Sequence, residues 1–247
     1  LSFKSDLETQ VDSLINTPFK IRDGRVIPTS SSIGPHDYVA LSDVAYLYTD
    51  MADSSSIPSR FEYDEGARIL RVFLTTVCRV IRDRGGEIRS FDGDRVMAMF
   101  KGDDAANDAV DAGLRINWAI SVLAHDALTL YEPYWNEFLE NDWKLRHRTG
   151  IDIGFAHVVR GGVRDHNDLV SIGHAPNTAA KLSDYKDGGA TIITDDVYEL
   201  LSEKNLRSEN SEKKDGVVRD MWQHKGYTKI GSRIENVYTS TWWRSYS

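Results

Sequence analysis

The chain has 247 residues, 40% hydrophobic and 28% charged, a balance that excludes a disordered chain and fits one folded domain with added elements. Its 30 basic and 38 acidic side chains leave a net charge of −8, which argues against a nucleic-acid partner and against docking on an anionic membrane. A single cysteine, Cys78, excludes an internal disulfide, and no apolar run approaches the ~20 residues of a membrane span, so a cytoplasmic protein is expected.

Leu7, Val11, Leu14 and Ile15 recur at helical spacing, so residues 1–18 read as a short amphipathic helix packed on the main domain or on a partner subunit. Residues 20–37, with Pro28, Gly34 and Pro35, read as a linker. Residues 1–37 are thus expected as an N-terminal extension and 38–247 as the main domain. The run YVALSDVAYLYTD (38–50) is a β-type segment ending in an acid, followed by a serine-rich loop from Asp53 to Pro58. A long helix is predicted over 61–84, with Ile69, Val72, Phe73, Val77, Val80 and Ile81 on one side and Gly85-Gly86 as its stop. Residues 87–91 and 95–100 read as short strands around Asp92-Gly93-Asp94, because Asp-Gly between β-type runs favours a hairpin.

A second helix is predicted over 103–124, and the aromatic stretch 125–147 as its continuation or a helical insertion. Residues 149–160 and 168–172 read as another hairpin with Gly161-Gly162 at its turn. A helix over 175–185, a strand over 190–194, a short helix over 195–201 and two or three strands between Met221 and Trp243 complete the chain. The order β, α, β, β, α, β followed by additions predicts an α+β fold with a ferredoxin-like βαββαβ core, its helices on one face of a mostly antiparallel sheet. Neither a P-loop nor a G-x-G-x-x-G element is present.

Asp50 ends the first strand of this core, and Asp94 sits in the turn of its central hairpin. Those strands are neighbours in a ferredoxin-like sheet, so both carboxylates can reach one ion. Such oxygen ligands suit Mg²⁺ or Mn²⁺, with substrate phosphates completing the shell. Asp is also common in turns for purely local reasons, and the pair alone leaves both readings open.

The surrounding text is more specific. YLYTDMADSS, SFDGDRVMAMF and SIGHAPNTAAKL resemble, in order and spacing, the two metal-binding segments and the strand–helix element of the class III nucleotidyl cyclases. The likeness runs from Val39 to Tyr238. The resemblance implies that Asp50 and Asp94 bind two Mn²⁺ or Mg²⁺ ions, helped by the Met51 carbonyl. It also implies that the amides of Ala52, Asp53, Ser54 and Ser55 cradle the β- and γ-phosphates of a nucleoside triphosphate. Asn177 would orient the ribose, and Lys181 stands where the family usually has an Arg that stabilises the transferring phosphoryl group. Lys229, then Lys225, are the candidates to clamp the triphosphate from the final hairpin. Because the family builds its active site between subunits, a head-to-tail homodimer is implied.

The base is read at other positions. Ser90, four places before Asp94, stands where adenylate cyclases usually carry Lys and guanylate cyclases Glu. Val170, three places before Gly173, stands where a polar residue is usual. Tyr48 falls where Phe is common, and either belongs to the core or narrows the base pocket. Without a purine-reading pair, the chain is most similar to the pyrimidine cyclases of bacterial anti-phage signalling. That resemblance implies conversion of UTP to 3′,5′-cyclic UMP and pyrophosphate, with the product acting on a separate effector protein. A cytidylate cyclase, an adenylate cyclase and an inactive nucleotide-binding module are the alternatives.

Overall fold

The computed structural model describes residues 2–163, 166–186, 188–208 and 218–246. The first β-type run becomes a long strand, β2 (Asp37–Met51), after helix α1 (Phe3–Asn16) and a short strand β1 (Lys20–Asp23). Next come α2 (Ile57–Arg60), α3 (Tyr63–Asp83), the hairpin β3 (Glu87–Asp92) and β4 (Arg95–Lys101), and α4 (Ala105–Trp118). Two short helices, α5 (His125–Leu128) and α6 (Glu132–Asn141), lead into β5 (His147–Val163). Neighbours in the order β3-β4-β2-β5 are all antiparallel, which is the predicted ferredoxin-like core.

The remaining chain forms β6 (His166–Gly173), α7 (His174–Ser183), β7 (Thr191–Thr194), α8 (Asp195–Tyr198), α9 (Glu203–Leu206), β8 (Gln223–Ile230) and β9 (Arg233–Ser240). β7, β9 and β8 extend the sheet beyond β5, while β6 pairs with the far half of β5. The final region therefore contributes two strands. No helix among the described residues is long and apolar enough to cross a membrane.

Local sequence explains α3. Ile69, Phe73, Val77, Val80 and Ile81 recur every three or four residues and all are buried. Glu62 and Glu65 form a capping box at its start. Beyond its end, Gly85 takes a left-handed φ of 80° that favours glycine. With α4, this helix packs on Ala45, Leu47, Val96 and Phe100 from one face of the sheet. Each of the larger side chains here contributes roughly 1.5–3 kcal/mol on burial.

Four expectations are corrected. Helices lie on both faces, because α7 packs Ala175 and Ala179 against Tyr46, Met97 and Met99 on the face opposite α3. Glycines make this approach possible: a Cβ on Gly150 would overlap the Ala179 carbonyl and the Ser183 amide. Part of the supposed linker is β1, which pairs in parallel with the start of β2. Gly161 and Gly162 are not at a turn; they sit in the β5–β6 ladder opposite Asp168 and Asn167. Finally, α1 buries no residue within the chain, so its apolar stripe does not pack on the main domain.

The aromatic stretch turns inward. Tyr134 is fully buried, and its hydroxyl accepts the Leu145 amide at 3.1 Å. Trp143 meets Phe61 edge-on at 5.1 Å between ring centroids. Between α4 and α5 the helix continues as a π-helical stretch, Ala119–Ala124.

Candidate active site

Strand register creates the site. Thr49 on β2 faces Val96 on β4, so the next step along both strands brings Asp50 beside Arg95 at the end of the ladder. Arg95 donates through Nη2 to Asp50 Oδ2 at 3.1 Å. The same nitrogen pairs with Asp184, the residue that caps the C-terminus of α7. Asp94 precedes Arg95 in the β3–β4 turn, where Gly93 holds a φ of 61°. The Asp94 Oδ2 atom is buried and has no hydrogen-bond partner.

Burial pushes the Asp50 carboxyl above its usual range; Arg95 opposes this, and the charges of Asp94 and Asp184 reinforce it. An orphaned carboxylate oxygen beside a partly desolvated carboxylate suits a divalent cation, which relieves both costs. Among the described residues, no group of three or more His, Cys, Asp or Glu side chains is gathered for a metal. Two carboxylates thus leave most of an ion's shell to water and substrate oxygens.

The serine-rich loop lies next to this pair. The Ala52 amide donates to the Arg146 carbonyl at 2.9 Å, so the expected phosphate cradle loses one of its four donors. Asp53 adopts a left-handed φ of 59°, and its carbonyl accepts both the amide and the hydroxyl of Ser56. Its carboxylate pairs with Arg146 at 3.2 Å. Ser54 and Ser55 open into a cavity of about 470 Å³ that Gly93 and Asp94 also line, with Ile57 and Phe61 as part of its apolar wall. Met51 is buried and pairs with His147.

Two of the three expected base contacts share a row. Met97 faces Tyr48 on one side and Ser90 on the other, so all three project from the same side of the sheet. Tyr48 packs beside the cluster under α7 and lies close enough to Arg95 to feel its charge. The third contact is elsewhere. Asp50 faces Arg148 on β5, whereas Val170 faces Val159. Eleven residues of extended strand separate these rows, about 36 Å at ~3.3 Å per residue. One chain therefore does not bring Val170 to Asp50.

Asn177 and Lys181 occupy the exposed face of α7. Asn177 donates to the Gly173 carbonyl at 3.0 Å. The Lys181 side chain lies over Gly231 in the β8–β9 turn, where an added Cβ would come 2.7 Å from Nζ. Lys229 is exposed near that same turn. Lys225 sits four residues back along β8, beside Trp222 in a separate cavity of about 310 Å³. Lys229 thus lies two residues from the turn that Lys181 covers, and Lys225 lies in a different cavity.

No family model matches the sequence. A uridylate cyclase from Rhodovulum sp. (strain MB263) is 33% identical over 245 residues, covering 99% of this chain and 98% of that protein. A uridylate cyclase from Burkholderia cepacia is 33% identical over 244 residues, 98% of each chain. The chain belongs to the uridylate cyclase family. Its fold is also that of the adenylyl cyclase CyaB from P. aeruginosa, with a TM-score of 0.62 and 21% identity over 84% of this chain and 97% of that one.

Two residues of this uridylate cyclase family member were missed by the sequence reading. Arg95 had a signal available, a basic residue directly after the turn acid in Asp92-Gly93-Asp94-Arg95. Asp184 had none, because its approach depends on α7 folding over the second face. Two buried titratable groups lie elsewhere, on β5. His147 has Nδ1 3.1 Å from the Thr149 hydroxyl and no partner at Nε2; burial, with Arg148 nearby, lowers it to about 3, so the ring is neutral. Asp152 lies between Gly150 and Gly154 on β5, and burial raises it to about 6 despite hydrogen bonds from Thr194 and the Ile153 amide.

Proposed function

We propose that this chain converts UTP to 3′,5′-cyclic UMP and pyrophosphate. The observation that carries the reading is the pair Asp50 and Asp94, joined to the Ser54–Ser55 loop by one cavity, in a chain of the uridylate cyclase family. Asp50 and Asp94, with the Met51 carbonyl, would hold two Mg²⁺ or Mn²⁺ ions. When bound, such ions lower the pKa of the ribose 3′-hydroxyl and neutralise phosphate charge.

The chain's own groups do the rest. The amides of Asp53, Ser54 and Ser55 bind the β- and γ-phosphates, while that of Ala52 stays with Arg146. The 3′-hydroxyl gives up its proton to solvent and its oxygen bonds to the α-phosphorus as the bond to the pyrophosphate oxygen breaks. On the copy opposite the acid pair, Tyr48 and Ser90 flank Met97 and face the base, where the bulk of Tyr48 favours a single-ring pyrimidine over a purine. The remaining groups come from that second copy in a head-to-tail homodimer, which is supported by the ~36 Å between the Val170 and Asp50 rows. That copy supplies Asn177 to the ribose, Lys181 to the transferring phosphoryl group, Lys229 to the triphosphate and Val170 to the base. The catalytic domain is residues 38–247, with β1 added at its edge. Family resemblance supports a cytoplasmic role in anti-phage signalling, where cyclic UMP acts on a separate effector.

The test is incubation of the purified protein with UTP, CTP, ATP or GTP and Mn²⁺, with products identified by mass spectrometry. Cyclic UMP should dominate, and Asp50→Asn or Asp94→Asn should lower pyrophosphate release by about a hundredfold or more. Cyclic AMP as the main product, or full activity in either variant, would overturn the reading.

A further inference from the structure

The guanidinium of Arg95 occupies a carboxylate oxygen of Asp50, the acid read here as a metal ligand. Its Nη2 is 3.1 Å from Asp50 Oδ2 and also contacts Asp184, while Asp94 Oδ2 next to it is buried and unpaired. Arg95 and Asp50 side chains are each only 24% exposed, so water does little to weaken the pair. Arg95 extends from the same turn that carries Asp94, and Asp184 ends the helix that carries Asn177 and Lys181. One side chain thus ties Asp50 to the end of α7.

We propose that Arg95 is a built-in counter-ion of the acid pair. It holds Asp50 while no divalent cation is bound and must release it when one enters. Asp184 gives the displaced guanidinium a place to remain, so release does not strand a partly buried charge. The arrangement disfavours capture of free metal and favours entry together with the triphosphate, whose own negative charge attracts the guanidinium. This inference rests on the reading of Asp50 as a metal ligand. It makes Arg95 a positioning residue that acts through Asp50.

An opposite charge this close shifts a carboxylate's charge balance by roughly one to three pK units. Its removal should therefore tighten binding of a competing cation about tenfold or more. The experiment is titration of Mn²⁺ into nucleotide-free protein, followed by electron paramagnetic resonance of the unbound ion. Arg95→Gln should bind Mn²⁺ at least about tenfold more tightly than wild type, and Arg95→Met, which keeps the aliphatic stem, should do the same. Arg148→Gln removes a charge from the strand position facing Asp50 and should change affinity less than about threefold. Equal affinity in wild type and both Arg95 variants, or equal tightening by Arg148→Gln, would overturn the proposal. Adding Asp50→Asn to Arg95→Gln should abolish the gain. If the gain persists there, Mn²⁺ does not bind at Asp50 and the counter-ion proposal is overturned. Should wild type make no cyclic nucleotide while the gain appears and vanishes as expected, the proposed activity fails and the counter-ion assignment stands.

Discussion

Replacing Asp152 by Asn should stabilise the protein, and only above about pH 4. Asp152 is 6% exposed and faces α7, and its Oδ1 accepts both Thr194 Oγ1 at 2.6 Å and the Ile153 amide at 2.9 Å. Asn keeps that oxygen, so both hydrogen bonds survive and only the ionisable group is lost. Burial holds the Asp152 carboxyl at about 6 in the folded chain, against 3.8 when unfolded. The sign follows from proton binding. Between those values the folded state holds a proton that the unfolded state has released, so wild-type stability falls as pH rises through about 6. The difference corresponds to about 3 kcal/mol once both states are ionised. Urea unfolding followed by circular dichroism at pH 4 to 8 measures it. The variant and wild type should match near pH 4 and diverge to about 3 kcal/mol by pH 8, a gain of roughly 6–10 °C in Tm. A gap that does not change with pH, or a wild type more stable at pH 8, would refute the assignment of this cost to Asp152.

Three other substitutions probe separate parts of the structure. His147 is neutral and buried, held at about 3 against 6.5 unfolded, so wild type should lose stability as pH falls below 6.5, by up to about 5 kcal/mol near pH 3. His147→Asn should flatten that acid limb in the same urea series, and an unchanged limb would assign the loss to carboxylates instead. Gly150→Ala places a methyl group against the backbone of α7 and should cost about 1–3 kcal/mol, measured at constant pH; a neutral change would show that α7 can shift freely. Asp111 pairs with Arg84, Arg115 and Arg244, whose hydrogen bonds hold its carboxyl below the usual range despite burial. Asp111→Ala should cost about 3–5 kcal/mol by leaving these cations together, and a loss under 1 kcal/mol would show that solvent already screens them.

Much of the molecule is written in local pattern. Helical spacing from Ile69 to Ile81, the Asp-Gly turn at Gly93 and the β-type run before Asp50 define α3, the central hairpin and β2. These features depend on residues a few positions apart, so backbone geometry alone converts them into structure. The ferredoxin-like order then makes β2 and β4 neighbours, which is why two acids 44 positions apart could be paired before any coordinates. The resemblance of three segments supplied the chemistry. Tertiary structure decided what those local patterns do not contain. The glycine at 150 lets α7 settle on the second face, and that settlement brings Asp184 to Arg95. An amide expected to meet phosphate was already taken by a carbonyl 94 residues away. The length of β5 set Val170 far from Asp50 along the sheet. Each of these depends on close packing or long-range register, where a side chain's partner is chosen by the fold rather than by its neighbours in the chain.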